Sequence, residues 1–306
     1  MRAIVIDDYG ATPHLADIPS PDPGPGEVLV QVRASSVNGF DVAVASGMLK
    51  GAMEHRFPVV LGKDFAGVVA RVGEGVSRFA IGDPVFGVVM KPYLGDGGFA
   101  AYVTVGEAHG IAAMPEGLDP ASAGAVGLAG AAALAVLAAA PPAPGDIVLI
   151  SGATGGVGAL AIQYARTAGA TVVATARAGE EADFVQGLGA HHILDRDGDL
   201  AAQLRAIAPD GVSVVIHLAG DAAQLTPLLA FGGRLASTVG YGVDQHPAAT
   251  AVMANPDSHA LDRLAADVVA GRLRVPITHT YVLDEVLAAI ADFRAGTLGK
   301  LAVAVQ

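Results

Sequence analysis

The sequence predicts an α/β chain in which a β-rich N-terminal part is joined to a doubly wound parallel sheet. Three observations carry this. Residues 1–120 hold short apolar runs separated by Pro- and Gly-rich turn clusters. From about residue 120, short apolar strands alternate with Ala-rich helical segments, a spacing that calls for parallel strands with helices on both faces. Within that part an apolar strand, residues 147–151, runs directly into a glycine-rich turn and then a helix.

The elements follow in chain order. Residues 1–8 read as a strand. The cluster Pro19-Ser20-Pro21-Asp22-Pro23-Gly24-Pro25-Gly26 punctuates the chain before a strand at 27–34, and further strands are expected at 68–72, from Pro84, and at 99–105. The parallel sheet is expected from strands at 147–151, 171–176, 192–195, 212–218 and 234–239. Helices are expected at 157–168, 178–188, 200–207 and 222–229. The end reads helix 257–270, strand 278–283, helix 284–295, strand 301–305. Domain boundaries are set at 1–120, 121–250 and 251–306.

Composition narrows the function. The chain has 306 residues, 52% of them hydrophobic and 16% charged, enough for two well-packed cores. A formal charge of −12 argues against a general nucleic-acid surface, which needs clustered Lys and Arg. No cysteine is present, which excludes disulfides, thiolate nucleophiles and thiolate metal sites. The first residues lack a signal-peptide pattern, so a cytoplasmic location is expected. Residues 121–140 carry no charge and could span a bilayer by length. They are mostly Ala and Gly, with little transfer energy, and are read as a packed helix rather than a membrane span.

The sharpest motif is Ser151-Gly152-Ala153-Thr154-Gly155-Gly156-Val157-Gly158 at the strand–helix junction. Gly152 permits the tight turn, Gly155 lets backbone approach a pyrophosphate, and Gly158 lets the helix pack on the strand. The anion then sits where free N–H groups and the helix dipole favour it. The end of the second strand, Thr175-Ala176-Arg177, carries no carboxylate for the ribose hydroxyls. Arg177 there suits a 2′-phosphate, and so NADPH. The plain alternative is an arginine that merely opens the next helix.

With these residues in view, the chain resembles the zinc-free quinone oxidoreductase branch of the medium-chain dehydrogenase/reductase superfamily. The resemblance rests on Ser36-Val37-Asn38-Gly39-Phe40-Asp41, on Leu61-Gly62-Lys63-Asp64-Phe65-Ala66-Gly67 and on Gly82-Asp83-Pro84-Val85-Phe86-Gly87. Residues 151–158, Gly232-Gly233-Arg234-Leu235 and Gly299-Lys300 complete it. It implies a GroES-like β-rich catalytic domain, a Rossmann domain and a C-terminal segment returning to the catalytic domain, with the active site in the cleft between them. It also implies Asn38 where zinc enzymes of the superfamily place Cys, and Lys63-Asp64 where they place His-Glu; Asn and Lys are not zinc ligands.

The substrates expected without a Lewis acid are quinones and α,β-unsaturated carbonyls. The candidate catalytic residues are Asn38, to orient the cofactor or donate to the substrate oxygen, Lys63, to stabilise an enolate or else pair with a surface carboxylate, and Tyr241, as a proton donor at a strand end, with Tyr93 the weaker candidate. The expected cofactor contacts are Asn38, Ser151 to Val157, Thr175, Ala176, Arg177, Ala219 and Tyr241. No metal is expected, and a homodimer is, by analogy with relatives. Two other readings stay open: an enoyl-thioester reductase, and a non-catalytic NADPH sensor or structural protein.

Overall fold

The parallel sheet has the strand order expected of a dinucleotide-binding domain. In the computed structural model, which describes residues 1–305, Ile147–Ser151 lies at the centre, between Thr171–Ala176 and Val212–His217. His192–Asp195 adds outside the first neighbour, and Leu229–Ser237 then Ala249–Ala251 outside the second. All five pairings are parallel, giving the order 3-2-1-4-5-6. Val148, Leu149, Ile150, Val172, Val173 and Val215 are fully buried, so both faces of the central strands are covered. That is why these strands read as unbroken apolar runs rather than as alternation.

The other unit is antiparallel apart from two pairings, one of them the short contact of Glu54–His55 with Tyr93–Leu94. Glu27–Ser36 is its hub, hydrogen-bonded to Asp64–Val72, Tyr102–Gly106 and the C-terminal strand Lys300–Ala304, which itself runs parallel to Ile277–Val282. In that C-terminal pairing Ala302 faces Ser36, so Lys300 arrives opposite Asn38. Val28, Val30, Val32, Phe65, Val85 and Ile111 form the core beneath.

The molecule divides into two compact units, residues 129–255 and residues 1–128 together with 256–305. The boundaries therefore fall at 128/129 and 255/256, not at 120/121 and 250/251. The first lies inside the helix Pro120–Ala139, because no turn signal interrupts the Ala-rich run. By length and mean hydropathy (1.9) this helix could cross a membrane, but 61% of its apolar window is buried in the protein. Its small residues have a packing reason: a Cβ on Gly124 would lie 2.8 Å from the carbonyl carbon of Ala34, and one on Gly127 3.0 Å from the oxygen of Gly87.

Several elements differ from the sequence reading. The helix expected at 222–229 stops at Leu225 and continues as one 3-10 turn, Thr226–Leu228, and the next strand starts at Leu229. The three-residue strand Ala249–Ala251 and the short helix Gly39–Ala45 were not expected. Each is too short to show a period.

Candidate functional site

The turn after Ile147–Ser151 has the geometry that an anion requires. Gly152 adopts φ +80°, the left-handed region in which only glycine is unstrained. A Cβ on Gly158 would stand 2.4 Å from the Gly152 oxygen and 2.6 Å from the Ala153 Cα, so the helix lies against its own turn. Gly155 is different: a Cβ there meets nothing of the protein nearer than 3.6 Å. Nothing within the protein demands glycine at 155: a Cβ there would extend into open space beside the turn. The helix Gly156–Thr167 opens at Gly155 with no side chain capping it, so its first-turn N–H groups have no side-chain acceptor.

A cavity of about 280 Å³ lies at the carboxyl ends of the strands of this sheet. It is lined by Ser151, Gly152, Thr154, Thr175, Arg177 and Ala219, all expected, and by Arg196, Asp197, Gly220 and Asp221, which were not. Ser151 Oγ donates to the Ala219 carbonyl at 2.7 Å, tying the first strand's end to the fourth's. Ala153 and Ala176 are fully buried; neither they nor Gly155, Gly156 and Val157 line the cavity. These residues fit a dinucleotide: N–H groups and a glycine gap for the pyrophosphate, and guanidinium groups at the far strand ends.

Tyr241 is displaced from its expected place. The strand ends at Ser237, and Tyr241 follows in a loop, half-buried against the sheet core, its ring set edge-on to His217 at 6.2 Å. His217 went unnoticed in the sequence. It is buried, with Nε2 3.1 Å from the Gly220 carbonyl and Nδ1 3.1 Å from Ser237 Oγ. A carbonyl only accepts, so Nε2 carries the proton and Nδ1 accepts from the serine. The pair braces the loop over the cavity. Tyr93 is likewise engaged, its hydroxyl donating to Asp96 at 3.2 Å.

In the β-rich unit, Asn38, Asp41, Asp64 and Lys300 form a buried polar cluster. Asp64 is wholly inaccessible; it accepts from Ser36 Oγ (2.6 Å), Asn38 Nδ2 (2.9 Å) and the Leu128 amide (2.8 Å). Lys300 Nζ donates to Asn38 Oδ1 at 2.7 Å and to the Val37 carbonyl at 3.2 Å, and stands 3.6 Å from Asp64 Oδ2. The role given to the Asn38 amide is corrected by this geometry. One Nδ2 hydrogen goes to Asp64 and the other to the Ser36 carbonyl (3.2 Å), so neither is free for a substrate oxygen. Asn38 instead joins the lysine to the aspartate.

Lys63 does not pair with a surface carboxylate. Its ammonium donates to the Val89 carbonyl and lies 4.8 Å from the centre of the Phe40 ring. Burial lowers its pKa, and the charges of Asp41 and Asp64 oppose that shift. Burial likewise lowers that of Lys300 against the pull of the same two carboxylates.

Asp41 is pushed up to about 7, chiefly by burial and further by Asp64, while the Asn38 amide hydrogen bond (2.8 Å) opposes the shift. Between pH 4 and 7 the unfolded chain gives up this proton and the folded one keeps it. The stability due to Asp41 is therefore full below about pH 4 and lost as pH rises through 7, by at most about 1.4 kcal/mol per pH unit. Asp41→Asn is expected to gain stability relative to the wild type between pH 5 and pH 8, measured by urea unfolding at both. A constant difference would contradict the shift.

Comparison with known proteins finds matches to both parts of the chain. Residues 24–116 match the alcohol dehydrogenase GroES-like domain, and residues 156–262 the zinc-binding dehydrogenase family. The solved quinone oxidoreductase of Coxiella burnetii superposes with a TM-score of 0.91 at 30% identity, covering 100% of this chain and 99% of that one. The chloroplastic quinone-oxidoreductase of Triphysaria versicolor is 33% identical over 228 residues, 72% of this chain and 68% of that protein.

The chain belongs to the quinone oxidoreductase branch of the medium-chain dehydrogenase/reductase superfamily.

It is an oxidoreductase of that superfamily. Another relative is larger: a mycocerosic acid synthase-like polyketide synthase of Mycobacterium tuberculosis, 45% identical over 217 residues. Those residues are 69% of this chain, which spans only about 10% of that protein's length. The superfamily's zinc does not fit here. At the ligand positions stand an amide and an ammonium, and the one carboxylate, Asp64, already faces N–H, O–H and a second ammonium. Among the described residues no three His, Cys, Asp or Glu side chains gather as a metal site.

Proposed function

We propose that this quinone oxidoreductase relative is an NADPH-dependent, zinc-independent reductase that delivers hydride to a quinone or to the alkene of an α,β-unsaturated carbonyl. The observation that carries the reading is the pairing, in one chain, of the Gly152–Gly158 cradle with a buried cluster in which an amide and two lysines stand among the carboxylates of Asp41 and Asp64. Bound reduced nicotinamide supplies the hydride. The first-turn N–H groups of the helix Gly156–Thr167 hold the pyrophosphate, and Arg177 holds the 2′-phosphate. Lys63 offers an N–H and a positive charge as the carbonyl oxygen gains electrons, in a site where burial strengthens electrostatic effects. An acceptor that needs no metal polarisation matches this equipment.

A second reading has one specific observation in its favour. The 45% identity to a polyketide synthase exceeds the 33% identity to the plant quinone-oxidoreductase. Polyketide chains grow as thioesters, and the same hydride chemistry would then act on an enoyl thioester. Following NADPH absorbance in the presence of a chelator with a quinone, an enal and an enoyl thioester decides among these. The main reading expects the highest kcat/KM on the quinone or enal. A higher value on the thioester selects the second reading. Tight cofactor binding without turnover of any of the three would make the protein a sensor.

A further inference from the structure

We propose that Arg196 is the second arm of a 2′-phosphate clamp with Arg177, and that Asp197 sets how strongly the protein distinguishes phosphorylated from unphosphorylated cofactor. This deepens the reading above and rests on its dinucleotide site. The sheet register brings the residues together. Ala176 and Asp195 are partners on adjacent parallel strands, so Arg177 and Arg196 leave the sheet side by side. Both line the cavity that also holds Ser151, Gly152 and Thr175, and Asp197 lines it with them.

Two carboxylates hold the arginines in place. Glu181 Oε1 lies 3.0 Å from Arg196 NH2 and 3.7 Å from Arg177 NH1, and its Oε2 accepts the Arg177 amide at 2.8 Å. Glu181 is the more enclosed partner, with a side chain 20% exposed, and is absent from the cavity lining; it acts as the brace behind both guanidiniums. Asp197 is 59% exposed, on the cavity wall, with Oδ2 2.7 Å from Arg177 Nε. Its charge occupies the arginine edge that a phosphate would take.

The consequences differ for the two kinds of cofactor. The two arginines and two acids sum to zero charge. A 2′-phosphate, carrying about two negative charges, can be taken by two guanidiniums in fork geometry, but must displace Asp197 from Arg177. A bare ribose 2′-hydroxyl can instead donate to Asp197 while the ion pair stays in place. Asp197 thus weakens the phosphorylated cofactor and tolerates the other.

Calorimetric titration of adenosine 2′,5′-bisphosphate and adenosine 5′-phosphate into the full chain tests this without any hydride chemistry. The two probes differ only in the 2′-phosphate. Arg196→Gln and Arg177→Ala are each expected to weaken the bisphosphate about tenfold or more and to change the monophosphate less than twofold. Asp197→Asn is expected to tighten the bisphosphate several-fold. Equal effects of Arg196→Gln on both probes, no effect on either, or an unchanged bisphosphate affinity in Asp197→Asn would overturn the clamp. Failure of the wild type to bind either nucleotide would instead overturn the dinucleotide reading itself. If the wild type binds both and the variants do not separate them, only the clamp is lost.

Discussion

Asp64→Asn is expected to destabilise the protein by about 3–5 kcal/mol, lowering Tm by on the order of 10 °C. The substitution keeps the shape of a side chain that is wholly buried but removes its charge beside Lys300, itself only 3% exposed. The ammonium then loses its nearest counter-ion where water cannot replace it. The new amide also turns an NH2 toward at least one of the donors that now meet oxygen, Ser36 Oγ, Asn38 Nδ2 or the Leu128 amide. The control is Asp64→Asn with Lys300→Met, which removes both charges. It is expected to be at least about 1 kcal/mol more stable than the sum of the single effects, because partners in one network are coupled. Thermal unfolding of the four proteins measures this. Additive losses would mean that the lysine and aspartate merely lie near each other.

The second large effect separates two glycines three residues apart. Gly158→Ala places a methyl 2.4 Å from one backbone atom and 2.6 Å from another, and neither can yield without opening the turn. Expected losses are about 2–3 kcal/mol of stability together with dinucleotide binding. Gly155→Ala meets nothing nearer than 3.6 Å, and its φ of −74° suits any residue. Its stability cost is expected to stay under about 1 kcal/mol, while the methyl occupies the path of the pyrophosphate and dinucleotide affinity falls at least tenfold. Melting curves and NADPH titration of both variants supply the comparison. Normal NADPH affinity in Gly155→Ala would remove the phosphates from this turn.

The parallel sheet was readable because each central strand is an apolar run ended by Gly or a polar residue, and because residues 151–158 sit at a strand–helix junction. Elements with no period to read escaped: Ala249–Ala251 shows only Ala-Thr-Ala, and Gly39–Ala45 spans two turns. Side-chain roles were harder. Asn38 stood out by position, yet what its amide bonds to depends on Lys300, 262 residues away. Lys300 itself was visible in the Gly299-Lys300 match at the head of an apolar strand, but with no role attached. Arg196 had a usable signal. It immediately follows the third strand just as Arg177 follows the second, and the expected strand order makes those ends neighbours.

The most direct test of metal-free hydride transfer is a single turnover with NADPH deuterated at both C4 positions. It uses chelator-treated protein and a simple enone, with the product analysed by mass and by NMR. One deuterium on the carbon β to the carbonyl, with the α-proton drawn from solvent, is the expected result. A protein that binds the labelled cofactor yet returns enone without label, or transfers deuterium only after zinc is restored, would contradict the account.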